Sequence, residues 1–252
     1  MVSYDVIGSI AILKLNNEKN KEKKKIAGKL LKEHKNIKTI LEKIEKVKGR
    51  LRTYKTKYLA GIKTKETIHR ESGCRFKLDV EKTYFSPRLS NERLEIAGKI
   101  KRKDKVLVMF AGVAPYSIVI AKVSGAKVVS LELNRIASKY AEENVKLNKL
   151  QGKVEVVQGD VKRIIPKLKK KFDVIVMPRP QLKESFLKEA FKVSKKGSRI
   201  FYYDFGDDVA SILEKIYKES KKLRKKIIVE KVKRAGDIAP FKYRWRVDFK
   251  VI

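Results

Sequence analysis

The sequence predicts an α/β protein: a doubly wound, mostly parallel sheet with antiparallel edge strands, behind a smaller N-terminal α+β region. Three observations carry this. From residue 105, apolar strand-like runs alternate with helical repeats in five successive units, the pattern of strands covered by helices on both faces. Two late strand-like runs follow with no helix between them, which suggests an antiparallel pair at one sheet edge. Before residue 96 the grammar differs, with alternating strands around one helical stretch. The chain is therefore divided into residues 1–96 and 97–252.

In order, YDVIGSIAILKL (4–15) roughly alternates apolar and polar residues and predicts a strand pair bent at Gly8. Residues 19–48 read as helix. Ile26, Leu30, Leu31, Ile37, Ile40, Leu41, Ile44 and Val47 recur at spacings near three and four, and Gly49 ends the run. Leu51–Leu59, Lys65–Arg70 and Cys74–Asp79 predict antiparallel strands with turns at Gly61 and Gly73. Lys82–Ile96 leads into a helix capped by Ser90 or Asn91. The five units then pair Val106–Phe110 with a helix to about Ser124, and Lys127–Leu131 with Arg135–Asn148. Val154–Gln158 precedes a short helix, Phe172–Met177 precedes Leu182–Val193, and Arg199–Tyr203 precedes Asp208–Leu223. The late strands are Lys226–Arg234 and Tyr243–Val251.

Composition narrows the function. The chain has 252 residues, 42% of them hydrophobic, and a formal net charge of +35. That is enough apolar material for a core, so the excess of Lys and Arg belongs to a folded surface facing phosphates or an anionic membrane. No apolar run reaches the roughly 20 residues of a spanning helix. The longest, Val106–Ala121, is broken by Gly112 and Pro115. The N-terminus lacks the layout of a signal peptide. A single cysteine, Cys74, excludes an intramolecular disulfide and a Cys-rich zinc site. A cytoplasmic protein is expected, with no metal and no stable protein partner. The Lys-rich run 19–25 reads as a solvated helix face. His34 and His69 read as packing or surface residues, and Trp245 as core, with base stacking the alternative.

The turn MFAGVAPYS (109–117) follows the first parallel strand and puts a helix N-terminus above the sheet edge. Gly112 permits close backbone approach. Glu132, at the end of the next strand, can accept both hydroxyls of a ribose, and Asp160 after the third strand is placed for an adenine amino group. Any one of these is weak evidence; three at successive strand ends are stronger. NAD is the obvious rival, but G-x-G-x-x-G is absent. S-adenosylmethionine, which has no phosphate, fits better.

The segments YDVIGSIAI (4–12), GCRFKLDVEKTYFSPRLSNER (73–93), VMFAGVAPYSI (108–118), EENVKLNKL (142–150), GDV (159–161) and FYYDFG (201–206) together resemble the archaeal tRNA (guanine-37-N1)-methyltransferase family. The resemblance covers nearly the whole chain. It implies a class I methyltransferase domain behind a tRNA-recognition domain, with methyl transfer from S-adenosylmethionine to a purine beside the anticodon. It implies that Arg52 contacts the target O6, that Glu92 is the general base, and that Tyr84 and Arg88 shape the pocket. Arg93, Phe110, Ala111, Gly112, Glu132, Leu133, Asp160 and Val161 would line the cofactor site. Guanine N1 carries a proton, so a carboxylate must remove it as the methyl arrives. Charge then builds on O6, where a guanidinium stabilises it. The base must also leave its stack, a cost that phosphate contacts offset.

Three departures from the family pattern stand out. Members usually begin with an additional small domain that grips the tRNA elbow, whereas this chain starts at the second domain, so either a weaker tRNA affinity or contacts confined to the anticodon arm are expected. Val108 stands where an Asp usually opens the glycine turn, and Ala114 replaces a Gly. The family's Asn-Leu-Pro loop becomes Pro178-Arg179-Pro180, so target recognition there must come from backbone carbonyls or Arg179. That fits a branch with a relaxed pocket, which also methylates C7 of 4-demethylwyosine. Two alternatives stay open: a wyosine-pathway aminocarboxypropyl transferase using the same donor, and a non-catalytic RNA-binding protein.

Overall fold

The structure is a computed structural model and describes residues 3–15, 20–45, 49–178 and 184–252. Strands β1 (Ser3–Ile7) and β2 (Ile10–Lys14) form the expected hairpin. Gly8 turns it at φ +56°, so close to the chain at Thr67 and Ile68 that a Cβ would lie 2.3 Å from Thr67 Oγ1. Helix α1 (Asn20–Glu33) ends well before the expected limit of residue 48. The amide of Ile37 turns back onto the carbonyl of His34, and β3 (Thr39–Lys43) follows, parallel to β2. Thr39, Ile40 and Leu41 are all buried. A strand covered on both faces shows no period of two, so its apolar residues merged with the helical spacing. Val47 lies outside the described residues. The strand expected from Leu51 begins only with β4 (Thr56–Gly61), antiparallel to β3, because the chain turns through a left-handed Arg52. β5 (Glu66–Glu71) and β6 (Cys74–Asp79) form a separate antiparallel pair.

A 3₁₀ turn (Pro87–Leu89) runs straight into α2 (Ser90–Gly98). The expected side-chain cap from Ser90 or Asn91 is absent: both are already helical and Leu89 holds the cap position without a side-chain hydrogen bond. The remaining elements are β7 (Lys105–Met109), α3 (Pro115–Ser124), β8 (Lys127–Glu132), α4 (Arg135–Leu147), β9 (Val154–Gln158), α5 (Val161–Ile164), β10 (Phe172–Met177), α6 (Leu187–Val193), β11 (Ser194–Gly206), α7 (Ala210–Lys222), β12 (Ile227–Ala239) and β13 (Lys242–Val251). Leu182, the expected start of α6, lies outside the described residues. The large sheet has the order β12-β13-β11-β10-β7-β8-β9. β11 to β9 are parallel, and β13 is antiparallel to both β11 and β12. Of the late pair, β12 is therefore the edge strand, and the last strand returns inside it.

Alternate residues of the parallel strands feed two cores. Val106, Val108, Val128, Val174 and Val176 face α2, α3, α4 and β6. Leu107, Met109, Val129, Leu131, Ile175 and Met177 face α5, α6 and α7. The first core also takes in Ile7, Ile10, Ile12 and Leu41, so it continues beneath the N-terminal sheet. Val108 is one of its fully buried members. Cys74 is buried there too.

The segment EENVKLNKL supplies a polar fastening. Asn144 Oδ1 accepts the Lys77 amide at 2.7 Å, and its Nδ2 donates to the carbonyls of Lys77 and Val113. Asn148 does the same with Arg75. Two side-chain amides, one on α4 and one at its C-cap, thus stand in for a strand along β6. Asn144→Ala strands buried backbone groups and is expected to cost about 2–4 kcal/mol. A thermal melt should show a midpoint lower by roughly 5–15 °C; an unchanged midpoint would remove Asn144 from this role.

Candidate active site

At the carboxyl end of β7 the chain makes a tight turn through left-handed Phe110 (φ +59°), Gly112 (φ +58°) and Ala114 (φ +66°) before Pro115 opens α3. The left-handed region costs an alanine about 1–2 kcal/mol, a strain that Ala114 carries and a glycine there would not. The turn amides are largely spent: Ala111 donates to Leu131 O at 3.0 Å, Gly112 to Glu132 Oε2 at 2.7 Å, and Ala114 to Ala111 O at 3.0 Å.

Glu132 ends β8 and accepts the Gly112 and Asn134 amides, one on each oxygen, both at 2.7 Å. Each oxygen keeps a lone pair for a hydroxyl donor. Burial raises its carboxyl above the usual range, against the amides of Asn134, Gly112 and Leu133. Asn134 caps α4 and ties Lys82 O to the site. Asp160 caps α5 through Lys162 N–H, and its other oxygen accepts Arg50 at 2.9 Å. Burial alone would raise the Asp160 carboxyl; Lys162 and Arg50 outweigh it and lower it.

These groups open onto a cleft of about 980 Å³, open solvent included, lined by Arg52, Tyr84, Arg93, Phe110, Ala111, Gly112, Glu132, Leu133, Asp160, Val161 and Pro178 among others. An apolar slot of Phe110, Leu133, Val161 and Phe186 beside two carboxylates, which repel a phosphate, fits an adenosyl group without phosphate. A second cleft, about 1430 Å³ by the same measure, holds Arg88 with Asp5, Lys14, Lys43 and Tyr54. Arg52, Tyr84 and Arg244 line both clefts and join them.

Arg52 sits at φ +55° with its guanidinium 4.3 Å over the Tyr84 ring. Its Nε is buried without a partner among the described residues. Burial pushes the guanidinium below its usual value. It is a desolvated cation with a donor to spare, at the junction of two clefts. Arg88 is exposed and paired with Asp5, its Nη2 at 2.5 Å. Arg93 is buried and held at both ends of its fork by Glu71, between Phe85 and Tyr116; it forms wall rather than a free donor. His69 packs on Phe85, His34 meets Tyr4, and the Trp245 N–H donates to Gly206 O. Arg179 and Pro180 lie outside the described residues.

Glu92 lines neither cleft. It is buried on α2, where Tyr203 donates to Oε2 at 2.9 Å, Arg246 Nη1 donates to Oε2 at 2.7 Å, and Lys233 pairs with Oε1. Arg246, fully buried, also holds Glu95 and Asp248. Arg246 and Lys233 keep the Glu95 carboxyl well below the usual range. The route from Glu92 to the first cleft runs through Tyr203, whose hydroxyl accepts from the cleft-lining Tyr116 at 3.3 Å. Burial raises both phenols, so both stay protonated.

Sequence reasoning missed Arg50, Arg244 and Asn134 as cleft residues. Asn134 had a signal, an Asn directly before a helical repeat. The two arginines had none beyond their charge.

Comparison with known proteins matches residues 67–231 to the TRM5/TYW2 methyltransferase domain and residues 1–64 to the TYW2 N-terminal domain. The chain is 38% identical to tRNA (guanine(37)-N(1))-methyltransferase Trm5b of Pyrococcus abyssi, over 99% of this chain and 74% of that one; the crystal structure of that protein superposes with a TM-score of 0.89. It is 34% identical to tRNA (guanine(37)-N(1))/4-demethylwyosine(37)-methyltransferase Taw22 of Nanoarchaeum equitans, over 100% of both chains. It is 26% identical to Methanocaldococcus jannaschii TYW2, solved in complex with AdoMet, with a TM-score of 0.75 over 99% and 100% of the two chains.

Proposed function

The chain belongs to the TRM5/TYW2 methyltransferase family, and from that premise we propose that it methylates N1 of guanosine 37 in tRNA and, at the same site, C7 of 4-demethylwyosine. The observation that carries this reading is the meeting of two clefts at Arg52 and Tyr84, one suited to an adenosyl group and the other basic. The full-length likeness to Taw22 and the proline at position 178 support the second activity. The anticodon arm is the tRNA contact this reading assigns. The archaeal sources of these relatives support an archaeal cytoplasm as the setting. No described helix is long and apolar enough to cross a membrane.

S-adenosylmethionine, when bound, supplies an electrophilic methyl group. Glu132 would take the ribose hydroxyls, Asp160 the adenine amino group, and the Phe110–Phe186 slot the ring. Arg52 offers its unpaired Nε–H to the target O6, where negative charge grows as N1 loses its proton. Tyr84 stacks on that guanidinium and forms the wall between the clefts. Glu92 is the final proton acceptor. The proton passes from N1 to the Tyr116 oxygen as Tyr116 gives its own to Tyr203 and Tyr203 gives its own to Glu92. Both phenols end neutral, and concerted transfer avoids a buried tyrosinate.

The test is mass spectrometry of position 37 after incubation with S-adenosylmethionine and either unmodified or 4-demethylwyosine tRNA. One added methyl on each supports both activities. A methyl on the first alone removes the wyosine step. The larger aminocarboxypropyl mass overturns the methyl assignment, and no change on either tRNA overturns the function.

The raised Glu132 carboxyl gives a pH signature. A folded-state pKa above the unfolded one means its stabilising effect is present at low pH and lost as pH rises through the raised value. The ribose needs the opposite form, the carboxylate. Affinity for S-adenosylmethionine is therefore expected to fall on acidification at a higher pH than an ordinary carboxylate would give. Glu132→Gln should weaken binding by roughly 10- to 100-fold and abolish that inflection in a calorimetric pH series. An inflection that survives in the variant would assign it elsewhere.

A further inference from the structure

The β12–β13 hairpin closes at Pro240-Phe241, between the paired residues Ala239 and Lys242. Phe241 has φ +57°, a conformation that turns normally give to glycine or asparagine. Its side chain is 80% exposed, and Ile238 beside it is 47% exposed. A large apolar ring in water, on backbone that disfavours it, stabilises nothing in the fold. A shallow groove of about 710 Å³, solvent included, lies against Phe241, Ile238 and Arg234. The Arg234 guanidinium, paired with Asp237 at 2.7 Å, is stacked 3.6 Å over the Tyr243 ring, so a second flat surface adjoins the phenyl ring. Residues 235–238 of the same hairpin line the basic second cleft together with Arg88.

We propose that Phe241 and Ile238 are a stacking platform for an unpaired base of the tRNA next to the nucleotide turned into the cleft, with Lys242 on its phosphates. The proposal rests on the function above and names where the flanking RNA goes. Stacking on an exposed ring needs no base-specific hydrogen bond, and the charged flank suits RNA rather than an apolar protein surface. A ring that holds the neighbouring base also helps to keep the target base out of its stack.

Because Phe241 is exposed, Phe241→Ala should fold as the parent does. It is expected to raise KM for tRNA by roughly 5- to 100-fold at unchanged affinity for S-adenosylmethionine, and Phe241→Trp should restore it. 2-Aminopurine at position 36 or 38 should be quenched on binding the parent and not on binding Phe241→Ala. A variant that keeps the parent's KM and quenching overturns the platform while leaving the function intact. A parent that sediments as a dimer, and a variant that sediments as a monomer with unchanged KM, would make the tip a self-association surface and overturn it too. A parent that neither binds nor methylates tRNA overturns the function itself.

Discussion

Glu92→Gln is expected to lower single-turnover methyl transfer to guanosine 37 by about 100- to 10,000-fold, the usual reach of a general base. The substitution keeps the volume and one oxygen acceptor and removes proton acceptance. Glu92 lines neither cleft, so S-adenosylmethionine affinity should hold. The fold should hold as well, since Arg246 retains Glu95 at 2.6 Å and Asp248 at 2.8 Å, and Lys233 retains Glu95. Tyr203→Phe should reproduce part of the loss by cutting the hydroxyl chain. Near-parental turnover in Glu92→Gln would exclude Glu92 as the base, and a normal Tyr203→Phe would exclude the phenol route.

Arg52→Ala should cost about 100- to 1,000-fold in turnover, comparable to removing one donor from an oxyanion site. The guanidinium is desolvated over Tyr84 and carries a free donor, so the field it would exert on the target O6 in the proposed complex is weakly screened. Arg52→Lys should recover little, because an ammonium lacks the planar fork and the stacking face. S-adenosylmethionine binding, measured in parallel, should change far less. Equal losses in binding and turnover would make Arg52 a wall of the cofactor cleft rather than a partner of the target base.

The parallel half of the fold was legible because each strand feeds two cores by simple alternation and each helix repeats on one face. The stretch from Ile37 to Ile44 was not, since a strand buried on both faces carries no period of its own. Ser90 and Asn91 resembled a cap, but the preceding 3₁₀ turn had already begun the helix. The site divides the same way. Glu132 and Asp160 could be placed because a strand end fixes where its next residue points. Nothing local marks Arg244 or Arg50, which reach their clefts by long-range packing. The distance of Glu92 from the cleft wall was equally invisible, because its three partners come from β11, β12 and β13, more than a hundred residues along the chain.

The buried cluster that joins Ile10 and Leu41 to Val106 and Val174 also takes in Ala111 and Val113 of the first cleft's turn and Ile7, Ile12 and Phe85 beside the second. If the two clefts hold donor and acceptor as proposed, the protein would act as a fixed caliper, not a pair of jaws. The gap would be set by close-packed aliphatic and aromatic side chains, which resist compression, so warming should leave it unaltered until the core melts.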